Sequence, residues 1–257
     1  MRESTERVYF ALCRALGRLL RSARYSKVHP VRQDDKLQVR KHRRFYAPLL
    51  VWMSGPLVRL LDTGVRVLPQ REWHEREREV YRNLRRPSIQ IDADGTLVMP
   101  RLPGDTLATL LENPQLEEPV RKRAIELSAI ALAEFHRLGW THGDAMAENV
   151  MVDLDAGAAH WFDFETIHDS SRPMAWRRAD DVRALLATCL IRTEPEKRAR
   201  TVQTILDAYG DEAVTRIVAT SFTSVLRRPL TLHLAQAALS FHCFQEIARL
   251  LTERLGE

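Results

Sequence analysis

The sequence predicts an α+β fold, with a small sheet-plus-helix region followed by a mainly helical one, and three observations predict it. Residues 36–42 alternate polar and apolar in the period of a strand. Residues 150–152 and 160–162 read as two further short strands joined by the turn Asp153-Leu154-Asp155-Ala156-Gly157. From Arg192 onward the apolar residues recur at helical spacing over 197–209, 211–226 and 230–255, with Arg227-Arg228-Pro229 separating the last two. A chain of 257 residues with 45% hydrophobic content can bury a sizeable core. The boundaries read as a basic amphipathic helix over 1–30, a small lobe over 31–102 with an apolar insert at 45–61, and a large lobe over 103–257.

Between Arg7 and Arg24, Val8, Leu12, Ala15, Leu16, Leu19 and Ala23 share one helical face, with Arg14, Arg18, Arg21 and Arg24 around it. The insert repeats this character: Tyr46 and Trp52 stand in an apolar run behind Arg40-Lys41-His42-Arg43-Arg44, which suits an anionic head-group surface. The competing reading packs both segments on the small lobe with their arginines solvated. In the strand over 36–42, Val39 and Lys41 share a face, so an apolar wall and an ammonium group can stand side by side. Arg40 is the rival cation there, and a basic edge strand that deters pairing is the plain alternative. Residues 76–84 read as a helix in which Tyr81 and Leu84 follow Glu77 at core-facing spacing. A charge-laced solvated helix, with Glu75 and Glu79 equivalent to Glu77, is the alternative. Residues 96–107 read as a strand and a turn at Pro103-Gly104. Residues 120–138 carry Ile125, Leu127, Ala129, Leu132, Ala133 and Phe135 in a largely buried helix closed by Gly139.

The chemistry concentrates in Thr141-His142-Gly143-Asp144-Ala145-Met146-Ala147-Glu148-Asn149 and Trp161-Phe162-Asp163-Phe164-Glu165. A carboxylate five positions before an amide, with a second acid inside an apolar run, supplies the groups that phosphoryl transfer needs. One carboxylate orients the attacking hydroxyl, and an amide oxygen and another carboxylate hold magnesium on nucleotide phosphates. The hairpin would bring Asn149 and Asp163 to the same open end. Asp181 precedes the apolar-periodic run Val182-Arg183-Ala184-Leu185-Leu186 and, like its alternative Asp180, also reads as a helix cap.

The run from Phe135 to Asp144, with Asn149 and Asp163-Phe164-Glu165 in order, resembles the kinase-like phosphotransferases. That superfamily joins protein kinases, aminoglycoside and choline kinases, and the bacterial lipopolysaccharide-core sugar (Kdo/heptose) kinases. The resemblance implies a bilobal protein-kinase-like fold using ATP and Mg2+. Asp144 would be catalytic, with Asn149 beside it and His142 bracing the loop, and Asn149, Asp163 and Glu165 would face metal. Lys41, paired with Glu77, would hold phosphates, Met99 and Arg101 would lie at the interlobe hinge beside adenine, and Asp181 would brace the catalytic loop.

The departures narrow the class. No glycine lies between Gly17 and Gly55, so the glycine-rich phosphate flap of protein kinases is missing. Seventeen residues between Asp163 and Asp181 leave little room for a peptide-docking activation segment. More than thirty residues separate Lys41 from Glu77, a spacing similar to that of the lipopolysaccharide sugar kinases. The net charge of +5 favours an anionic sugar or glycolipid acceptor and peripheral contact with an anionic membrane. The basic clusters lack interleaved stacking aromatics, so no nucleic acid is expected. Cys13, Cys189 and Cys243 form no CxxC pairing and fit a reducing compartment. Neither a leader pattern nor a bilayer-spanning run is expected, which places the protein in the cytoplasm, peripheral on the inner face of the membrane. The alternatives are a catalytically inactive kinase-like scaffold and an aminoglycoside-type or protein-directed kinase.

Overall fold

The computed structural model describes residues 26–33, 36–44, 64–222 and 240–255, with positions 4, 7, 8 and 11 near the N-terminus. The expected amphipathic helix over 1–30 and the insert over 45–61 lie almost wholly outside those residues, as does the break at 227–229. Ser26 to Pro30, assigned to that helix by sequence, instead form the start of strand β1 (Ser26–Gln33). Two valines and alternating polar residues suit an extended ribbon better than a helix.

β1 pairs antiparallel with β2 (Lys36–Arg43), and β2 pairs with β5 (Leu97–Pro100), which also carries the short β4 (Gln90–Ile91). The register sets Val39 opposite Met99 and Lys41 opposite Leu97. Against this sheet lies helix α1 (Gln70–Asn83), which buries Trp73, Glu77, Val80 and Tyr81 at spacings of three and four residues. The short strand β3 (Val65–Val67) enters α1 and pairs with β9 (Thr166–His168). Leu68 N–H donating to Glu165 O at 2.8 Å and Asp169 N–H to Gly64 O at 2.8 Å extend that ladder at both ends.

α1 closes with a Schellman motif, in which Arg86 N–H reaches Tyr81 O and Arg85 N–H reaches Arg82 O. The residue at the left-handed position is Arg85, at φ +52°, where glycine would carry no Cβ penalty.

The chain then runs through β6 (Asp105–Thr106) into helix α2 (Leu107–Glu112), capped by the Thr106 hydroxyl, which accepts from Thr109 N–H. The turn before β6 needs Gly104: at φ +83°, a Cβ there would run into the Val152 carbonyl. Helix α3 (Glu118–Arg137) covers the hairpin β7 (Val150–Asp153) and β8 (Ala158–Trp161), and Trp161 Nε1 donates to Ser128 O on α3 at 3.2 Å. Helix α4 (Met174–Leu190) is buried on every side from Ala179 to Leu190. It opens at Met174 behind Pro173, so Asp181 sits two turns inside rather than at the start or as a cap. The arginines between Met174 and Ala179 hide this earlier start from a reading of apolar period. Helices α5 (Arg198–Tyr209), α6 (Glu212–Ser221) and α7 (Phe241–Leu255) complete the described fold, with α5 on α3 and α6 on α4. The third helix expected over 230–255 is thus described only from Phe241. Mixed helix and strand content of this kind agrees with the α+β class. Among the described residues no helix is long and apolar enough to cross a membrane. Cys189 and Cys243 are buried and unbridged.

Replacing Arg85 with Gly is expected to stabilise the fold by about 1 kcal/mol, because a side chain in the left-handed region is removed where glycine fits without strain. Reversible urea unfolding of Arg85→Gly against the parent chain checks it; an unchanged or lowered midpoint contradicts the assignment.

Candidate active site

The hairpin fixes the site. Phe162 N–H donates to Asn149 O at 3.0 Å, which closes the open end of β7 and β8 and puts Asn149 beside the strand exit that leads to Asp163. Asp163 takes φ +69°, a left-handed conformation that aspartate tolerates better than most residues. Phe164 turns into the core, its ring 5.4 Å from that of Phe135 and 5.0 Å from that of His142.

Asp144 and Asn149 are brought together as the sequence spacing requires. Asn149 Nδ2 donates to the Asp144 backbone carbonyl at 2.8 Å and to its carboxylate at 2.9 Å. With both amide hydrogens committed, the amide oxygen is the remaining ligand atom. His142 is fully buried and braces this loop from within. Its Nδ1 accepts from Asp144 N–H at 3.2 Å, so the proton stands on Nε2, which donates to Phe162 O at 2.9 Å. Burial lowers the imidazole's pKa, consistent with a neutral ring in this role.

Beneath the loop lies Asp181, which accepts from His142 N–H at 2.7 Å and Gly143 N–H at 2.8 Å, and meets His136 Nε2 at 3.0 Å. Gly143, at φ +81°, packs so closely on the Ile167 backbone that a side chain would strain the contact. Its neighbour Asp180 takes a second brace: it meets His168 Nε2 at 3.1 Å and accepts from Arg183 at 2.9 Å, while His168 Nδ1 meets Thr141 Oγ1 at 2.9 Å. Both acids of the Asp180–Asp181 alternative therefore hold the loop, one by its amides and one through His168. His168 belongs to this buried network.

Lys41 reaches the site from β2. It is 4% exposed and forms an ion pair with Asp163, with Glu165 Oε2 at 3.4 Å. Burial opposes its charge, but Asp163, Glu165 and Glu77 outweigh that and hold its pKa above the ordinary lysine value. The rival Arg40 points away and pairs with Asp92 on the other face of the strand. The expected Lys41–Glu77 ion pair is not made. Glu77 Oε1 instead accepts from Trp73 Nε1 at 3.1 Å and Phe164 N–H at 3.0 Å, and its buried Oε2 has no hydrogen-bond partner. Burial pushes the Glu77 carboxyl up to about 7. Glu75 is exposed and pairs with Arg71 along the helix, which separates it from Glu77. Glu165, expected at the metal, is engaged by Lys41 and by Ser26 Oγ, which donates at 3.0 Å.

A cavity of about 220 Å³ opens beside Lys41 and Asp163. Val28, Val39, Tyr81, Met99, Leu102, Met151 and Phe162 give it apolar walls, Arg101 lies at its edge, and Lys41, Glu77 and Asp163 supply its charge. Met99 and Arg101, expected beside adenine, thus line the same space as Lys41. Among the described residues no cluster of three or more His, Cys, Asp or Glu could hold a metal on its own. Sequence reasoning missed Trp73, whose ring lies 4.8 Å from Lys41 Nζ, and Ser26. Trp73 stands four residues before Glu77, a helical neighbour, whereas nothing local in the sequence marks Ser26.

An apolar pocket ending in a lysine and a carboxylate, beside an aspartate–asparagine loop, is the constellation of a phosphotransferase. The chain belongs to the lipopolysaccharide kinase (Kdo/WaaP) family, whose model matches residues 77–209, just over half of its length, and it is a kinase. The match begins at Glu77, so β1, β2 and Lys41 lie before it. No curated protein matches the chain.

Asp181 carries a pH signature. Burial alone would raise its pKa, but His168 and His136, with His142, overcome this and hold it at about 2, below the ordinary 3.8. A carboxyl depressed by folding stabilises above its unfolded pKa and loses that contribution as pH falls through the folded value. The expected loss is roughly 2 kcal/mol between pH 4 and pH 2. Asp181→Asn should lower stability at pH 7 by a similar amount and flatten that acid limb, as read by chemical unfolding across pH. An acid limb identical to the parent's would show that other groups govern it.

Proposed function

We propose that the protein transfers the γ-phosphate of ATP to a hydroxyl on an anionic sugar or glycolipid at the inner face of the membrane. The observation that carries this reading is the Lys41–Asp163 ion pair at the charged end of the apolar cavity, with the hydrogen-bonded Asp144–Asn149 pair tied to Phe162 of the cavity wall through the Asn149 carbonyl. The sheet with α1 reads as a small lobe over 31–102 and the remainder as a large lobe over 103–257, with the cavity as the cleft between them. The family description supports a lipopolysaccharide acceptor, and the net charge of +5 supports an anionic one.

The residues present fit a magnesium nucleotide. The apolar walls suit a purine, and the orphaned Glu77 Oε2 marks unmet polar capacity at the charged end. Magnesium characteristically takes one or two protein ligands and completes its shell with phosphate and water, so the absence of an all-protein cluster among the described residues agrees with it. Asp163 and the Asn149 amide oxygen would hold the ion, which neutralises phosphate charge when bound.

The chain's own groups supply orientation. Asp144, its carboxylate fixed by Asn149 Nδ2, directs the acceptor hydroxyl and takes its proton as the new oxygen–phosphorus bond forms and the bond to the leaving ADP oxygen breaks. The neutral His142 holds the Asp144 backbone through its own ring nitrogen. Lys41 stays charged and meets the phosphate oxygens, and the rate gain comes from positioning and charge neutralisation.

The test is magnesium-dependent transfer of labelled phosphate from ATP in the presence of membrane glycolipids. Asp144→Ala and Asp163→Ala are each expected to lower transfer at least a hundredfold while leaving the melting temperature within a few degrees of the parent. Near-normal turnover in either variant would sink the assignment. Label entering a small aminoglycoside or a protein, and not the glycolipid, would identify a different acceptor. Neither nucleotide binding nor transfer would leave the inactive scaffold as the better reading.

A further inference from the structure

Three carboxylates surround Lys41, and all three favour its charge. They differ in what else they do. Glu77 Oε1 is spent on two N–H donors, Trp73 and Phe164, and makes the residue a strut between α1 and the turn at Asp163. Asp163 does pair with Lys41, but its carboxylate is also the group that faces the metal in the reading above. An ammonium and a divalent cation on one carboxylate repel strongly in a buried site, so Lys41 needs another anchor when both are present.

Glu165 has the geometry of that anchor. Its Oε2 stands 3.4 Å from Lys41 Nζ and is fixed from the other side by Ser26 Oγ at 3.0 Å. The side chain is 15% exposed. Its backbone carbonyl accepts from Leu68 N–H, and the next residue enters β9, so the main chain is tied on both flanks. The Trp73 ring, 4.8 Å from the ammonium, adds a cation–π contact.

Resting on the kinase reading above, we propose that Glu165 is the positioning residue for Lys41. It takes the part expected of Glu77, keeping the ammonium aimed at the phosphates while Asp163 is occupied elsewhere. Ser26, on β1, orients Glu165 for this task and so links the first strand to the site. The glutamate stands at the third position of the Asp163-Phe164-Glu165 triplet, where glycine could offer no side chain at all.

The first arm uses the nucleotide-free protein in chelator. Melting temperatures of Lys41→Met, Glu165→Gln and the double variant form a cycle that reads coupling without catalysis. Lys41→Met alone leaves buried acids without their cation and should melt about 5 °C lower. Adding Glu165→Gln should recover a substantial part of that loss, a non-additivity of about 3 °C or more. Additive shifts overturn the proposal. The second arm is the equilibrium dissociation constant for magnesium ATP without acceptor. Glu165→Gln should weaken binding about tenfold, and Ser26→Ala about threefold in the same direction. Full affinity in Glu165→Gln together with weakened binding in Glu77→Gln returns the role to Glu77 and overturns the proposal. A parent protein that binds no magnesium ATP overturns the kinase reading itself, a failure distinguished from the other because the melting cycle still reports whether Glu165 holds Lys41.

Discussion

The buried carboxylate of Asp181 is the point on which the loop carrying Asp144 depends. A charge in the middle of an all-round buried helix costs folding energy unless every lone pair is met, and here two backbone amides and a histidine meet it. The amides are those of His142 and Gly143, so the loop's path is set by an interaction that must be completed for the helix to pack. His142 then passes that order on, one ring nitrogen to the Asp144 backbone and the other to Phe162, which ties the loop to the hairpin. Asp180, Arg183 and His168 hold Thr141 from the adjacent position. Geometry at the surface is thereby inherited from electrostatics in the core.

Asp144 and Asn149 of the candidate site were legible because short-range spacing dictates their contact. A loop of four residues between Asp144 and Asn149, followed by a tight hairpin, leaves few conformations, and the Asp144–Asn149 contact follows almost from chain connectivity. The strand carrying Lys41 was legible for a similar reason, since period-two alternation puts Val39 and Lys41 on one face and Arg40 on the other. What the sequence did not disclose depends on distant segments meeting. The extent of α4 was obscured by Arg177 and Arg178, which use their guanidinium groups on the carbonyls of Arg172, Ser170 and His136. Their polarity breaks the apolar period without breaking the helix.

The partner of Lys41 shows the same limit at the site itself. Helical spacing correctly turns Glu77 inward, but it says nothing about which of several buried donors will claim its oxygens. Trp73, one turn earlier, and the Phe164 amide, 87 residues away, reach it first. Glu165 meets Lys41 only because β1 supplies Ser26 and β3 pairs with β9, contacts spanning more than a hundred residues in the first case. Composition and net charge bore on the class of acceptor and left such pairings open.

The pairing of β3 with β9 has a wider consequence. Residues 169–173 alone connect β9 to α4, and they are held by Asp169 N–H on Gly64, Arg172 N–H on Asp169, and Arg177 on the carbonyls of Arg172 and Ser170. A segment so short is pinned at both ends, to Gly64 by Asp169 and to the first turn of α4 by Arg177. The enzyme therefore offers no long loop at this joint on which a peptide could be laid out.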